Sequence, residues 1–497
     1  MNIQFQPAVT QAQAKSYTNR MLAFSGKPYI AGNLEFDVYN MTPCAVGQKQ
    51  GVDTTALFRA NAQRAKTIVE DIWANKDNPK DFMGWLNLDH QPDDVKAIKQ
   101  YAQSVKGKFD DVIILGIGGS ALGTRAMFEA LLPANWNLLS KESRGGYPRY
   151  HILDNIDPDH LSESLKAIDL KKTLVNVVSK SGSTAEPMSQ YLILKEALQN
   201  ALGTENYKSH LLFTTDPKAG VLREIANEEK IPTLDIPPSA GGRFSIFSPV
   251  GLVPAALLGL PIEDMLKGVT TMNESLKNSD IFKNSAAQAA LLEFDALKKG
   301  KNMSVLMPYS SKLASVADWY VQLWDESLGK KHNTAGTEVY AGQTAIKAVG
   351  ATDQHSQMQL YNAGPFDKVV NFIRLKSFKN PLPIPALHMD KPALSYLGGQ
   401  TIEKLMQSEF EGSRASLNAH QRPNTTLTLP MLDANHFGQL LQFMMFKTAV
   451  MSKLLEINGF DQPNVELGKQ FTYGLMGRKG FENKLEQVKK LTSSQSA

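Results

Sequence analysis

Asp110–Leu132 reads DDVIILGIGGSALGTRAMFEALL, and the reading of this stretch decides the fold. Val112–Leu115 is a short apolar run bounded by glycines, the pattern of a fully buried strand. Gly116, Gly118 and Gly119 then hand the chain to a helical pattern, so the whole is a βα unit. Two more phrases repeat it. TLVNVV at 173–178 runs into SKSGSTAEP and a helical stretch through Leu202, and MSVLM at 303–307 runs into PYSSKLAS and another long helix. Strands alternating with helices predict a mostly parallel sheet with helices on both faces. The third unit lies beyond the Gly/Pro-rich stretch 237–262, so the pattern predicts two such α/β units with a boundary near 260–280. Residues 376–400, with Pro381, Pro383, Pro385 and Pro392, read as extended segments and turns, and the tail LTSSQSA reads as frayed.

Composition narrows the function classes. The chain has 497 residues, 42% hydrophobic and 21% charged, enough to bury a large core in two or more domains. Its 53 basic and 49 acidic residues are spread without a long run of either sign, so neither nucleic acid nor a membrane surface is required as partner. The single cysteine, Cys44, excludes an internal disulfide and any site built on several thiolates, which fits a reducing compartment and makes the cytoplasm the expectation. MNIQFQPAVTQAQAK lacks the uninterrupted apolar stretch of a signal peptide. The most apolar segment, Ser248–Ile262, is broken by three prolines and two glycines and reads as buried protein rather than a membrane span.

Three motifs carry chemistry. Gly116, Gly118, Gly119 and Ser120 stand where a strand meets a helix, and glycines there let an anion approach backbone amides. The spacing also passes as a dinucleotide fingerprint, but the acidic residue expected about 20 positions on is missing, since Glu129 lies in the helix pattern and Glu142 in a polar loop. Ser179, Lys180, Ser181, Gly182, Ser183 and Thr184 put four hydroxyls and an ammonium at another strand-to-helix turn, which suits a phosphate dianion. The competing account is a capping box, Ser183 with Glu186, which needs only one hydroxyl. Glu326 lies far from the apolar stripe of its helix, in the last turn before Gly329, where the dipole disfavours a carboxylate and Lys330 and Lys331 are the ordinary occupants. Arg243 follows two glycines and suits either an oxyanion or a structural ion pair; His355 and Lys469 decide nothing alone.

Taken in order, GIGGSALG (116–123), SKSGSTAEP (179–187), GGRFSIFSPVG (241–251), WYVQLWDESLGKK (319–331), TDQHSQMQLY (352–361), EFEGSRASLNAHQRPN (409–424) and FDQPNVELGKQ (460–470) resemble the landmarks of the glucose-6-phosphate isomerase family. The resemblance implies an α/β chain of two doubly wound, mostly parallel SIS-type domains, αβα sandwiches with a helical C-terminal extension. It implies an N-terminal helical segment over 1–79 packing on the large domain, a small domain over 80–260, a large domain over 261–455, and an arm over 456–497 carrying Lys469. Gly119 and Ser120 would line the sugar site, and Ser179, Ser181 and Thr184 would hold the phosphate with Lys180 nearby. Glu326 matches the base, Arg243 the residue facing the enediolate, His355 and Lys469 the pair assisting ring opening, and Gln462 a glutamine beside the substrate. The implied reaction, in glycolysis and gluconeogenesis, uses no metal and no other cofactor. The implied assembly is a homodimer with shared active sites, the histidine coming from the neighbouring subunit. Asn464 stands where the family usually has glycine, and asparagine tolerates positive φ. A non-catalytic sugar-phosphate sensor on the same fold is the alternative from another class; it has no use for Glu326.

Overall fold

The computed structural model describes residues 28–78 and 82–492. Where helix was expected across 1–79, the described part opens with a hairpin, β1 (Tyr29–Ala31) and β2 (Leu34–Asp37). Leu34 and Phe36 are buried while Glu35 and Asp37 are half-buried, the period of two that defines a strand. The helix follows at Thr54–Ala74, capped by the Asp53 side chain accepting from the Ala56 amide. Residues 1–27, including the N-terminal part of that expected segment, and most of the expected frayed tail, 493–497, lie outside the described residues.

Strands β3 (Asp111–Leu115), β4 (Arg149–Leu153), β5 (Thr173–Val178), β6 (Leu211–Thr215) and β7 (Thr233–Asp235) make one parallel sheet in the order β4-β3-β5-β6-β7. Every residue of β3, β5 and β6 is buried, as a sheet covered on both faces requires. Strand β8 (Met303–Pro308), the short ribbon β9 (Lys330–His332) and β10 (Glu338–Ala341), then β11 (Thr344–Lys347), β12 (Lys368–Leu375) and β13 (Asn424–Leu429) follow. Of these β8, β11, β12 and β13 form the second parallel sheet, ordered β13-β12-β8-β11, and β2 joins its edge antiparallel to β13. Counted from its own first strand, the first sheet runs 2-1-3-4-5 and the parallel part of the second runs 2-1-3-4. Both are doubly wound α/β sheets, and each has its own switch point: β3/β5 in the first, β8/β12 in the second.

The segment read as buried protein folds as the helix Pro249–Leu257, with Val250, Leu252 and Val253 in the core. The next helix, Ile262–Leu276, packs on Ala434–Leu454 of the second unit. Residues 376–400 hold a single one-turn helix, Pro392–Ser395. Beyond residue 456 the chain forms the short turn Pro463–Val465 and the helices Glu466–Leu475 and Glu482–Thr492. Among the described residues no helix is long and apolar enough to cross a membrane.

Candidate active site

Parallel α/β sheets expose the ends of their ladders and the starts of their helices at the carboxyl edge, and the two chains diverging at a switch point open a crevice there. In the first sheet that crevice lies between the loop after β3, Gly116–Ser120, and the loop after β5, Ser179–Thr184. It is a cleft of about 730 Å³, lined by Gly118, Gly119 and Ser120, by Ser181, Ser183 and Thr184, and by Arg243, Glu326, Gln462 and Lys469. Residues from distant stretches of sequence therefore share one space.

The hydroxyls of the serine-rich loop are not spent on capping the helix that follows. The helix Ala185–Leu202 has Thr184, not Ser183, at its N-cap, and that side chain makes no capping hydrogen bond. Thr184 Oγ1 and the Ser183 hydroxyl are each within 3.4 Å of Ser181 Oγ, so the three hydroxyls cluster at the helix start and face the cleft. Ser179 does not line it: this residue is buried, and its hydroxyl accepts from the Gly182 amide, fixing the turn. Gly182 has φ +62°, and a Cβ there would meet the Leu222 amide nitrogen at 2.4 Å. Lys180 is also outside the cleft, donating to the Pro238 and Ala240 carbonyls at 2.6 and 3.1 Å. Burial lowers its pKa. Ser183, which the resemblance did not single out, takes a place in the lining.

Gly119 meets the Gly242 backbone so closely that the two loops act as one unit; a Cβ at 119 would lie 2.2 Å from the Gly242 carbonyl carbon. That contact seats Arg243, which is almost fully buried. Its Nε donates to Ser327 Oγ at 2.7 Å, Nη1 to Gln462 Oε1 at 3.0 Å, and Nη2 to the Gly459 and Asp461 carbonyls. Burial lowers the guanidinium pKa, and the charges of Glu326 and Asp461 oppose that shift. Glu326 Oε1 stands 3.7 Å from Arg243 Nη1, too far for a hydrogen bond. Its other oxygen accepts from Gln322 Nε2 at 2.9 Å. Gln322 is one helical turn earlier on the same face, a site residue that sequence reasoning missed although its spacing of four is visible there.

Lys330 is the second residue missed. The sequence reads it as an ordinary helix-end lysine, yet it is buried, donating to the Glu326 and Ser327 carbonyls at 2.8 and 3.0 Å. Desolvation first, and the Arg243 charge second, lower its pKa to about 8. Lys469, on the Glu466–Leu475 helix, pairs with Glu466 at 2.7 Å at the cleft rim. Asn464 lies in the turn Pro463–Val465 without positive φ, so nothing there demands glycine and Lys469 follows in regular helix. His355 is exposed at the end of the turn Thr352–Gln354 and does not line the cleft of its own chain.

Comparison with known proteins identifies the family of the chain. Residues 92–495 match the family model for phosphoglucose isomerase. A glucose-6-phosphate isomerase from Carboxydothermus hydrogenoformans is 44% identical over 413 residues, covering 83% of this chain and 89% of that one. One from Rubrobacter xylanophilus is 40% identical over 403 residues, covering 81% and 91%. A Thermus thermophilus crystal structure described as a hypothetical protein superposes with TM-score 0.80 at 33% identity, covering 89% of this chain and 99% of that one. A Chlamydia trachomatis glucose-6-phosphate isomerase, at 20% identity, has the same fold with TM-score 0.77 over 95% of this chain and 94% of that one. By the extent of the family match and the identity shared with these relatives, the chain belongs to the phosphoglucose isomerase family.

Proposed function

We propose that this cleft interconverts glucose 6-phosphate and fructose 6-phosphate, with Glu326 carrying the proton between C2 and C1 of the open-chain sugar. The observation that carries the reading is the setting of Glu326: one carboxylate oxygen held by Gln322, the other facing buried Arg243 across 3.7 Å. Removing the C2 proton builds charge on the carbonyl oxygen, and a fixed guanidinium beside it stabilises that enediolate without reorganising. Return of the proton to C1, with O1 taking up a proton as the O2 hydroxyl gives one up, completes the shift from aldose to ketose. The hydroxyls of Ser181, Ser183 and Thr184 hold the phosphate at the helix start, with the buried Ser179 and the half-buried Lys180 fixing the loops rather than touching ligand. Gly119 and Ser120 border the sugar, and Gln462, already bonded to Arg243, completes that wall. Anchoring a remote phosphate turns binding free energy into orientation at C1 and C2.

Ring opening requires proton traffic at the ring oxygen and the anomeric hydroxyl, for which Lys469 at the rim and an imidazole are suited. Because His355 is exposed and away from its own chain's cleft, the imidazole reaches a site only if a second copy supplies it. The reading is therefore a homodimer with shared sites, working in the cytoplasm, each chain divided into domains at 80–260 and 261–455 with the arm 456–497 closing the cleft.

Two experiments test this. Fructose 6-phosphate in deuterated water with wild-type protein gives glucose 6-phosphate labelled at C2, and Glu326→Gln, whose amide can still accept from Gln322, loses about 10²- to 10⁴-fold in kcat. Conversion by Glu326→Gln at the wild-type rate removes Glu326 from the reaction. Co-expressed Glu326→Gln and His355→Ala chains recover roughly a quarter of wild-type sites if subunits share them, and none if each chain is self-sufficient.

A further inference from the structure

The second sheet has a switch point of its own, and it too opens a cleft. Between the ends of β8 and β12 lies a space of about 460 Å³, roofed by the end of the Leu122–Leu131 helix and walled by Leu131, Leu375 and Phe378. No carboxylate lines it, whereas Lys312 and Lys379 both do. Lys312 caps the Leu122–Leu131 helix, donating to the Glu129, Ala130 and Leu132 carbonyls. Burial, and then the Lys379 charge, lower its pKa. Lys379 is exposed and has no ion pair among the described residues. The acids of the recess beyond it, Asp264 and Asp433, are engaged by Lys267 and His436.

The second observation is Ser310, which is 5% exposed, lines the cleft, and heads the Ser311–Leu313 turn that leads into the 15-residue helix Ala314–Leu328. Its side chain makes no capping hydrogen bond, nor any other among the described residues. Its hydroxyl is left to the cleft. The matching loop in the first sheet is the one after β3, Gly116–Ser120, whose Gly118, Gly119 and Ser120 line the first cleft. The same topology thus opens a cleft beside the first strand of each sheet, here lined by two lysines.

We propose that the β8/β12 cleft is a separate binding site for a phosphate monoester, the phosphoryl group held by Ser310 and Lys379, with the Lys312 charge behind them. The walls of Leu131, Leu375 and Phe378 take the body of the ligand. The site does not depend on the chemistry of the first cleft.

Equilibrium dialysis of the full chain against radiolabelled inorganic phosphate tests it. Wild type takes up about two equivalents per chain, one at each switch point. The double variant Ser181→Ala, Thr184→Val loses the first; Lys379→Glu, a change at an exposed position, loses the second; Ser310→Ala weakens the second on the order of tenfold. A single equivalent in wild type, or two tight equivalents retained by Lys379→Glu combined with Ser310→Ala, overturns the proposal. Lack of isomerase activity would sink the catalytic reading while leaving the second equivalent standing.

Discussion

Gly119→Ala isolates the contact on which the cleft is built. The added methyl would lie 2.2 Å from the Gly242 carbonyl carbon, 2.4 Å from its oxygen and 2.7 Å from the Arg243 nitrogen. Ordinary contact begins at 3.4 Å, so the Gly242 backbone must retreat by about 1.2 Å or the Gly118–Ser120 turn must open by as much. Neither is free to yield. Arg243, the next residue, is tied to Ser327, Gly459, Asp461 and Gln462. Displacing a reacting group by about 1 Å costs on the order of 10²-fold in rate, and overpacking of this kind costs about 1–3 kcal/mol of stability. Expected is a fall in kcat of that order in the fructose 6-phosphate assay, with a lowered Tm by scanning calorimetry. Gly412→Ala is the control: this helix position has nothing within 4 Å of the new methyl, and the change is neutral or stabilising by up to about 1 kcal/mol. If Gly119→Ala keeps kcat within about threefold and its Tm matches wild type, the reasoning about the two loops is refuted.

Ser181→Ala with Thr184→Val removes two donors to the phosphate and raises KM on the order of tenfold or more in steady-state kinetics; an unchanged KM would mean that the backbone amides alone hold the ligand. Lys180→Met breaks two bonds to the carbonyls before Gly241 and lowers the urea midpoint while leaving phosphate affinity within about twofold; a selective loss of phosphate affinity would put Lys180 on the ligand after all. Lys330 has a folded pKa of about 8 against an ordinary 10.5, so over that window the unfolded chain holds the extra proton and stability rises with pH. Its share is about 1 kcal/mol between about pH 7 and 9, and Lys330→Met loses that increment; identical pH slopes in urea titrations of the two proteins would contradict the burial argument.

The βα phrase at Asp110–Leu132 was legible because a fully buried parallel strand leaves a continuous apolar run, and the same signal marked β5 and β8. The hairpin at Tyr29–Asp37 was not, since seven described strand residues give too short a period to outweigh the helical pattern of 54–74 behind them. Four hydroxyls at 179–184 pointed to an anion, but composition cannot say which way each side chain turns. Ser179 turns inward to the Gly182 amide three residues on, and Lys180 turns back to carbonyls of a loop nearly 60 residues away, contacts of Lys180 that exist only once β5 and the 237–240 segment are neighbours. Gln322 was readable from its spacing of four to Glu326. Lys330 was not: a lysine just past a helix end is ordinarily solvated, and only the packing of Arg243 and Asp461 around it shows otherwise.

Arg243 explains why residues so far apart in sequence form one site. Its guanidinium bonds Ser327, next to the proposed base Glu326, and also Gly459, Asp461 and Gln462 at the root of the C-terminal arm. Lys330 closes the same circuit from the other side, donating to the Glu326 and Ser327 carbonyls with Asp461 Oδ1 at 3.9 Å. A buried, multiply bonded charge fixes its partners relative to one another, because losing any one of them strands the rest without solvent. Glu326, the Arg243 guanidinium and the arm are thereby coupled. Arg243→Lys keeps the charge but cannot reproduce the fork, so it should disturb the geometry of all three at once. Paired with Gln462→Ala in a double-mutant cycle, its effect on kcat should be far from additive; strictly additive losses would mean the three regions act independently.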